Sequence, residues 1–566
     1  MTISRRDFLQ ATAAASALVT SSGLGPLGRA AAQQKLTQAE ILKFDPLGTV
    51  TILHIADTHA QLMPLYFREP SVNLGVGEAR GQPPHITDAE FRKYFQIANG
   101  SADAYSLTAD DFTSLAKHYG RMGGMDRIAT LVNTVRAERG EKNVLLLDGG
   151  DSWQGSWSSL QSKAQDMIDV MTALKTDAMV GHWEFTYGAD RVKDFADKSS
   201  IAFLAQNVRD NEWQEPVFAP RKVFERGGVK IAVIGEALSR TAVANPRWMI
   251  PKWEFGIREE DMQKQVDEAR ADGAAIVVLL SHNGFDVDKK TASRVKGIDI
   301  ILTAHTHDAI PIPVIVDGTL LIASGSHGKF LSRLDIEVKN KKVENIRFKL
   351  MPVFSDVIKP DPAMTALVEK VRAPYAKDLA RVIGKTDSLL YRRGNFNGTF
   401  DDLICNAMLS ERDAEISLSP GFRWGASLLP GESITFEHLT NATAITYPAC
   451  YRNQFTGAQL KDILEDVADN LFHPDPYFQG GGDMVRVGGM GYAIDISKSM
   501  GSRISNMTHL KSGKPIDAAK TYTVSGWASV NEGTQGPPIW DVVAAHVKKQ
   551  GTVRVAPNDA VKVTGA

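Results

Sequence analysis

The sequence predicts a two-part protein, an N-terminal α/β domain followed by a smaller α+β domain. Its 566 residues exceed what one compact core usually holds. From Val50 to about Val338, short apolar runs alternate with amphipathic helical stretches, which is typical of α/β folds. From about residue 385 the pattern changes to mixed helices and strands. We therefore expect two cores in succession.

Composition excludes several classes of protein. Hydrophobic residues make up 43% and charged residues 23%, as in ordinary globular chains. The balance of 64 basic and 66 acidic residues gives no electrostatic reason to expect nucleic-acid binding. Beyond the N-terminus no apolar stretch is long enough to span a membrane.

The cysteine content is equally restrictive. Cys405 and Cys450 are the only two thiols, too few for a thiolate zinc site or an iron–sulfur cluster. In an oxidising compartment they could pair. Both stand in apolar contexts, so two independent buried thiols are an equal expectation. We expect neither to be catalytic.

Residues 1–32 have the pattern of a twin-arginine export signal. Arg5-Arg6 precedes Phe8-Leu9, an alanine-rich run follows, and Ala30-Ala31-Ala32 supplies a small-residue cleavage site. Ser and Gly residues interrupt the run, which favours a signal over a membrane anchor. This pathway moves folded proteins, so the pattern predicts a periplasmic protein that acquires its cofactor before export.

The α/β pattern defines the expected first domain, residues 33–355. Its strands are predicted from apolar runs that read as buried on both faces. Lys339-Asn340-Lys341 is expected to form a hairpin turn. Residues 64–120, rich in Pro, Gly, Asp and Ala, are expected to be a functional insertion or lid. The runs are Thr51–Ile55, Val144–Leu147, Ile231–Ile234, Ile276–Leu280 and Ile300–Thr303.

The remainder is expected to be a linker helix at 356–384 and a substrate-binding domain at 385–566. Asp361-Pro362 is a helix start signal. In the second domain we expect a helix after Thr399, one over Gly457–Asn470 and one near Asp541–Lys548.

Metal-type ligands follow directly after four of the first domain's apolar runs, all except Ile231–Ile234, and after a fifth short run, Met179-Val180. In α/β folds the carboxyl ends of strands hold the functional site, so these side chains are expected to share one crevice. In extended backbone, residues i and i+2 point to the same side, so each i, i+2 pair should bind one centre. The candidate ligands are Asp57, His59, Asp151, His182, His282, His305 and His307.

This set is too large for one ion and suits two, with one carboxylate bridging. Mixed imidazole and carboxylate ligands favour Mn, Zn or Fe. Two such ions can hold a hydroxide and clamp an oxyanion. A single one of these histidines is more often a satisfied core residue, but their concentration at strand ends favours a metal site. His327 is ambiguous and could support the ligands from behind.

These motifs resemble the calcineurin-like metallophosphoesterases. The resemblance rests on Asp57-x-His59, Gly149-Gly150-Asp151, the Gly181–Glu184 loop, Ser281-His282 and Ala304-His305-x-His307. The second domain is similar to the C-terminal domain of 5′-nucleotidases. The resemblance implies an αββα sandwich followed by a 5′-nucleotidase-like α+β domain.

The match departs from nucleotidases at several positions. Their Gly-Asn-His-Glu-Phe-Asp block reads Gly181-His182-Trp183-Glu184-Phe185-Thr186 here. His182 stands at the Asn ligand position, Trp183 at the general-acid histidine and Thr186 at its orienting aspartate. Arg423 survives, but Asn531–Pro538 replaces the region that stacks adenine. These changes argue against ordinary nucleotide hydrolysis.

The variant motifs resemble the SoxB thiosulfohydrolase family of the Sox sulfur-oxidation system, through Gly181–Thr186, Ala304–Asp308 and Glu532–Pro538. That resemblance implies two Mn²⁺ ions, with Zn²⁺ as the alternative, and a metal-bound hydroxide nucleophile. The reaction implied is hydrolysis of the terminal sulfonate from a cysteine S-thiosulfonate on the carrier SoxYZ, releasing sulfate. Other Sox proteins would be partners. A phosphomonoesterase or a non-catalytic binding subunit are the alternatives.

Trp183, Glu184 and Arg423 are expected to support catalysis, and Arg423, Trp183 and Thr186 are expected to bind substrate. Trp183 would line the pocket; the alternative is that it only packs in the hydrophobic core. Glu184 would orient ligands, or form a cap or ion pair. Arg423 would bind the sulfonate or a carrier-arm carbonyl, or form a surface ion pair. The insertion, Arg423 and Gly533–Pro538 are expected to form a channel for the arm.

Overall fold

The structure is a computed structural model that describes residues 2–4 and 36–565. Apart from a short strand over Thr2–Ser4, the expected signal segment lies outside the described residues, so export by the twin-arginine pathway stays a prediction. No helix among the described residues is long and apolar enough to cross a bilayer.

The strands fall into two large sheets, three small sheets and a two-stranded pair. In chain order they are β1 Thr2–Ser4, β2 Val50–Ile55, β3 Val144–Asp148, β4 Ala178–Met179, β5 Ala202–Phe203, β6 Arg209–Asp210, β7 Arg221–Arg226, β8 Val229–Glu236, β9 Trp253–Glu254, β10 Ile276–Ser281, β11 Ile300–Thr303, β12 Val314–Val316, β13 Thr319–Ala323, β14 Phe330–Lys339, β15 Lys342–Pro352, β16 Val382–Thr386, β17 Ile416–Gly421, β18 Ser433–Thr435, β19 Cys450–Thr456, β20 Asp483–Gly488, β21 Met490–Asp495, β22 Ile504–His509, β23 Lys514–Pro515, β24 Thr521–Trp527, β25 Thr552–Val553 and β26 Val561–Thr564.

The α-helices cover the sheets of both domains and fill much of the insertion. In chain order they are α1 Gln38–Leu42, α2 Asp88–Phe95, α3 Ala102–Leu107, α4 Phe112–Tyr119, α5 Met125–Arg139, α6 Trp157–Ser162, α7 Gln165–Ala173, α8 Ala189–Lys198, α9 Thr241–Ala244, α10 Glu259–Ala271, α11 Phe285–Arg294, α12 Pro362–Arg372, α13 Ala376–Leu379, α14 Thr399–Glu411, α15 Phe436–Thr443, α16 Gly457–Phe472 and α17 Ile539–Gln550.

The first domain is the expected αββα sandwich. One sheet has the order β1-β15-β14-β2-β3-β4-β5 and the other β12-β13-β11-β10-β8-β7. Apolar side chains of both sheets, such as Leu147 and Val278, form one buried cluster between them. Helices α5, α7 and α8 contribute to the core on the outer face of the first sheet, and α10 and α11 to that of the second.

Strand direction brings the expected ligand loops together. β2, β3, β4 and β5 run parallel, as do β8, β10, β11 and β13. Each apolar run used to predict a strand lies within a strand. The carboxyl ends of β2, β3 and β4 in one sheet and of β10 and β11 in the other therefore carry the site.

The segment between the two domains is helical but packs on the first. Asp361 caps α12 by accepting the backbone N–H of Met364 at 2.9 Å. Met364 and Val368 then join the core that covers the first sheet. The hairpin turn expected at 339–341 is present, with Asn340 and Lys341 at positive φ between β14 and β15.

The second domain has the α+β content expected, including the three predicted helices as α14, α16 and α17. Its strands form separate small sheets, for example β19-β24-β17-β20. Cys405 and Cys450 are free and buried, so of the two alternatives left open by the sequence the structure shows two independent thiols. Burial raises the pKa of both thiols.

The 64–120 insertion is ordered and bridges the two domains. It holds α2, α3 and α4, which the weak sequence pattern did not predict. Tyr66 pairs with Ser427 of the second domain as an isolated β-bridge, and Leu74 donates its backbone N–H to Asn395 Oδ1 at 2.6 Å. On the first-domain side, Lys329 forms a buried ion pair with Glu69.

Candidate metal centre

The candidate ligands lie on loops of strained backbone. Asp57, His59, Asp151, His305 and His307 all have positive φ, from 47° to 77°. Non-glycine residues rarely adopt this region, and it costs about 1–3 kcal/mol when a site imposes it. The ligand pairs thus reach the crevice through left-handed turns rather than the extended backbone expected from their i, i+2 spacing.

A first group contains Asp151, His182, His282 and His305, whose ligand atoms all lie within 4.8 Å of one another. Asp151 Oδ2 lies 3.0 Å from Nε2 of His282 and 3.2 Å from Nδ1 of His182. All four residues are buried.

A second group contains Asp57, His59, Asp151 and His307, again within 4.8 Å. Nε2 of His59 lies 2.9 Å from Nε2 of His307, and Asp57 Oδ1 lies 3.6 Å from the latter. Asp151 belongs to both groups, the position expected of a bridging carboxylate. The pair Asp57/His59 stays together, but His305 and His307 separate into different groups, unlike the sequence-based expectation.

Hydrogen bonds leave ring nitrogens of these histidines free to bind a metal. His59 Nδ1 lies 3.0 Å from the Gln154 carbonyl and His282 Nδ1 2.5 Å from the Gly149 carbonyl, so each Nδ1 carries the proton. Backbone carbonyls commonly orient metal-binding histidines in this way. His305 Nε2 lies 3.0 Å from the Gly480 carbonyl, and among the described residues its Nδ1 is buried without a partner and therefore free for a metal.

These donors fit two borderline divalent ions. Imidazole nitrogens and carboxylate oxygens suit Mn²⁺, Zn²⁺ or Fe²⁺, and thiolate is absent from both groups. Burial alone would raise the pKa of Asp151, but His182 and His282 outweigh it and hold that pKa well below its usual value. Burial also lowers the pKa of His59 to about 4, which keeps the ring neutral and able to bind a metal.

Glu184 lies behind the ligands rather than facing them. Its Oε1 accepts the backbone N–H groups of Ser152 at 2.7 Å and Trp153 at 3.2 Å. Its Oε2 accepts those of His182 at 2.9 Å and Asp151 at 3.3 Å. The carboxylate therefore fixes the backbone of two ligand loops at once.

Trp183 lines the cavity, and Thr186 points away from it. Trp183 is 6% exposed and packs in the hydrophobic cluster of the second domain. Its ring lies 5.2 Å from that of Trp424 and 5.3 Å from that of Phe422. Thr186 instead donates its hydroxyl hydrogen toward Gln154 Oε1, 2.8 Å away, and the Trp183 carbonyl, 2.7 Å away.

Arg423 reaches the site from the second domain and is buried, so it is not a surface residue. Its guanidinium donates to the Thr306 carbonyl, between His305 and His307, at 2.9 Å. Arg393 donates to the same carbonyl at 3.0 Å, and its Nε is buried without a partner. Two guanidinium groups thus converge on the loop that carries two ligands. Arg423 lines the metal cavity and Arg393 a neighbouring one, so Arg423 offers positive charge to an anion in the metal cavity.

The cavity above the ligands has a volume of about 160 Å³. Its lining includes Asp151, His182, His305 and His307 from the first domain and Phe422–Trp424 and Gly480–Asp483 from the second. Arg240, Val243 and Ala244 complete the rim. Insertion residues Asn73, Leu74, Pro84 and His85 line a neighbouring cavity of about 70 Å³ that shares Arg423 and Gly481–Asp483 with the metal cavity. Gly533–Pro538 line neither of these two cavities, and the arm channel stays a prediction.

His327 supports the ligands from behind, one of the two possibilities left open by the sequence. Its ring lies 5.5 Å from that of His59 and 5.8 Å from that of His307, and it stacks on Phe67 at 3.9 Å. Its Nε2 accepts the backbone N–H of Gly425 at 3.3 Å, which links the ligands to the Arg423 loop.

Sequence reasoning missed Trp424 and Arg393. Trp424 follows Arg423 directly and stacks on His59, with ring centroids 5.2 Å apart and an interplanar angle of 25°. Its adjacency to a suspected binding arginine was the available signal. Arg393 is separated from Arg423 by thirty positions, so only the fold brings it to the site.

Comparison with known proteins identifies the family. Residues 382–544 match the family model described as 5′-nucleotidase, C-terminal domain. The solved structure of sulfate thiohydrolase SoxB of Thermus thermophilus is 33% identical, covers 93% of this chain and 98% of its own, and superposes with a TM-score of 0.89. The chain belongs to the SoxB family.

More distant relatives place this SoxB-family chain in a wider superfamily. A snake venom 5′-nucleotidase of Naja atra is 25% identical over 452 residues, 71% of this chain and 83% of that protein. A 5′-nucleotidase precursor, also from Thermus thermophilus, shares the fold, with 21% identity and a TM-score of 0.72 over 91% of this chain and 99% of that one. The chain is thus a hydrolase of the 5′-nucleotidase/calcineurin-like superfamily whose buried clusters could hold two metal ions.

Proposed function

We propose that this chain is a periplasmic thiosulfohydrolase that removes the terminal sulfonate from a cysteine S-thiosulfonate on the carrier SoxYZ. The observation that carries the proposal is the likeness to SoxB over nearly the whole of both chains. Trp183 at the acid position of the related nucleotidases supports it. Export by the twin-arginine pathway and partnership with other Sox proteins belong to the same proposal.

The reaction is a hydrolysis of a sulfur–sulfur bond. Water oxygen bonds to the sulfonate sulfur, the bond between that sulfur and the sulfane sulfur attached to the cysteine Sγ breaks, and the sulfane sulfur leaves with the electron pair. The products are a cysteine persulfide anion, sulfate and two protons. A persulfide is a weaker base than an alkoxide, so it needs less protonation as it leaves. The chemistry therefore tolerates an indole where a phosphomonoesterase has an acid.

The residues of the chain bind and enclose this substrate. Arg423, held by the Thr306 carbonyl beside His305 and His307, is placed to attract the anionic sulfonate. Trp183, packed against Phe422 and Trp424, closes one wall of the cavity. When bound, two ions, which we propose to be Mn²⁺ with Zn²⁺ as the alternative, would lower the pKa of water and neutralise charge on the oxyanion.

One assay tests the proposal. Sulfate release is measured from thiosulfonated SoxYZ with metal-free protein, with added Mn²⁺ and with added Zn²⁺. We expect release that depends on metal and is lost in Asp151→Asn, a near-isosteric change at the shared carboxylate. No sulfate release under any of these conditions would overturn the proposal.

A phosphomonoesterase of the 5′-nucleotidase type is the second candidate. The 25% identity to nucleotidases over more than two thirds of the chain favours it, as does the C-terminal family match. Hydrolysis of AMP or an aryl phosphate faster than of the carrier thiosulfonate would establish it instead.

A further inference from the structure

The indole of Trp424 carries a buried hydrogen-bond donor with no acceptor in the described part of the chain. The side chain is 2% exposed, and its Nε1 has no partner. Trp424 lines the metal cavity together with Arg423 and His307. A buried donor left without a partner destabilises a fold, so a bound ligand or an ordered water usually completes the bond, and a donor beside an anion-binding cavity is a candidate for the first.

A second indole in the same aromatic cluster has a hydrogen-bond acceptor for its N–H. Trp527 is equally buried, at 3%, and its Nε1 donates to Ser419 Oγ at 2.8 Å. Both indoles contact Phe422, at 5.5 Å for Trp527 and 4.2 Å for Trp424. Only the one that lines the metal cavity keeps a free donor.

Packing fixes the plane of Trp424. His59 and Phe422 lie nearly parallel to it, at interplanar angles of 25° and 18°. An N–H in the ring plane cannot point at either neighbour. The remaining ring contact, with Trp183, is nearly perpendicular at 74°, and an aromatic face is a much weaker acceptor than an oxygen.

We propose that the Trp424 N–H donates a hydrogen bond to a tetrahedral oxyanion bound in this cavity. This inference rests on the proposed function only for the kind of ligand, a tetrahedral oxyanion. Sulfonate, sulfate and phosphate all present such tetrahedral, negatively charged oxygens. An indole does not release its proton near neutral pH, so Trp424 lowers the energy of the anion without acting as an acid. That role suits a site where Trp183 occupies the place of the acid histidine.

The test measures the affinity of sulfate for the full chain loaded with Mn²⁺ by isothermal titration calorimetry. Trp424→Phe removes the N–H and keeps a stacking ring. Trp527→Phe removes a donor from the same cluster and serves as the matched control. We expect sulfate affinity to fall roughly 10- to 100-fold in Trp424→Phe, as for a hydrogen bond to a charged group. Metal content and Trp527→Phe affinity should equal those of the wild type. Trp424→Tyr, which restores a donor, should recover part of the loss.

Two results would overturn the assignment. One is unchanged sulfate affinity in Trp424→Phe; the other is an equal loss in Trp527→Phe, which would indicate a packing effect. If Trp424→Phe fails to fold, ¹⁵N-indole spectra of the wild type loaded with diamagnetic Zn²⁺ decide, because an indole resonance must shift when sulfate is added, and no shift contradicts the proposal. Sulfate binding is measured whether or not the carrier is hydrolysed, so failure of the proposed function remains distinguishable.

Discussion

The carboxylate of Glu184 accepts the backbone N–H of Ser152 at 2.7 Å and that of His182 at 2.9 Å. These two bonds tie the loop after β3 to the loop after β4, and each loop carries a metal ligand. The spacing of the ligands is therefore maintained by a residue that coordinates nothing in either group.

We expect Glu184→Ala to lower both metal content and stability. Each buried donor left unsatisfied costs about 1–3 kcal/mol, and the change frees four N–H groups in the Asp151 and His182 loops. Glu184→Gln retains one acceptor oxygen and should lie between the alanine variant and wild type. Elemental analysis and urea unfolding measure the two effects. Wild-type metal content in Glu184→Ala would show that the loops hold their shape without it.

Single-ligand variants should separate the two metal sites. His182 belongs only to the first group and His307 only to the second, whereas Asp151 belongs to both. We expect His182→Ala and His307→Ala each to retain about one ion per chain and to lose turnover, with the fold intact. Asp151→Asn should weaken both sites. Elemental analysis after dialysis is the measurement, and full occupancy in His182→Ala with normal turnover would remove His182 from the ligand set.

The sequence was sufficient to predict the α/β domain and the candidate ligands, because both depend on local patterns, whereas the sandwich arrangement of two sheets came from the family resemblance. A buried parallel strand reads as an apolar run, and the residue that follows it faces the crevice. The insertion helices were missed, since residues 64–120 have weak apolar periodicity and are fixed by contacts such as Tyr66 with Ser427. The division of His305 and His307 between groups was missed too. This division depends on left-handed backbone at His305 and His307, a conformation that the residue type histidine does not predict.

Replacing Trp183 with His tests whether an indole alone excludes phosphate-ester chemistry. Thr186, at the position of the orienting aspartate, has no carboxylate and contacts Gln154 Oε1 and the Trp183 carbonyl, so the single change lacks an acidic partner for the new ring. We expect Trp183→His not to slow aryl phosphate hydrolysis, and Trp183→His/Thr186→Asp to raise it. Both should be less stable, because Trp183 fills the cluster with Phe422 and Trp424. Kinetics on an aryl phosphate decide; if neither variant exceeds wild type, Trp183 is not simply a replaced acid.

The buried ion pair of Lys329 and Glu69 should anchor the insertion. Lys329 is 1% exposed and also donates to the carbonyls of Phe67 and Ser106. Lys329→Met leaves the Glu69 carboxylate buried without its partner, which typically costs about 3–5 kcal/mol. We expect Glu69→Leu/Lys329→Met to be less destabilised than Lys329→Met alone, as measured by urea unfolding. Additive losses in the double variant would show that the pair is not coupled.

His54 should make the protein sensitive to acid. It lies inside β2, where burial lowers its pKa to about 3 and its Nδ1 lies 2.7 Å from Ser324 Oγ. In the unfolded chain the pKa of histidine is about 6.5. Between these values the unfolded state binds the extra proton, so the free energy of unfolding falls as pH drops from about 6.5 toward 3, by up to about 1.4 kcal/mol per pH unit.

We expect His54→Gln to lose less stability than wild type between pH 7 and pH 5, and the exposed His118→Gln control to behave as wild type. Other buried histidines are common to all three proteins and cancel in the comparison. Urea unfolding of the metal-free proteins at both pH values gives the difference, and parallel losses in His54→Gln and wild type would contradict this role for His54.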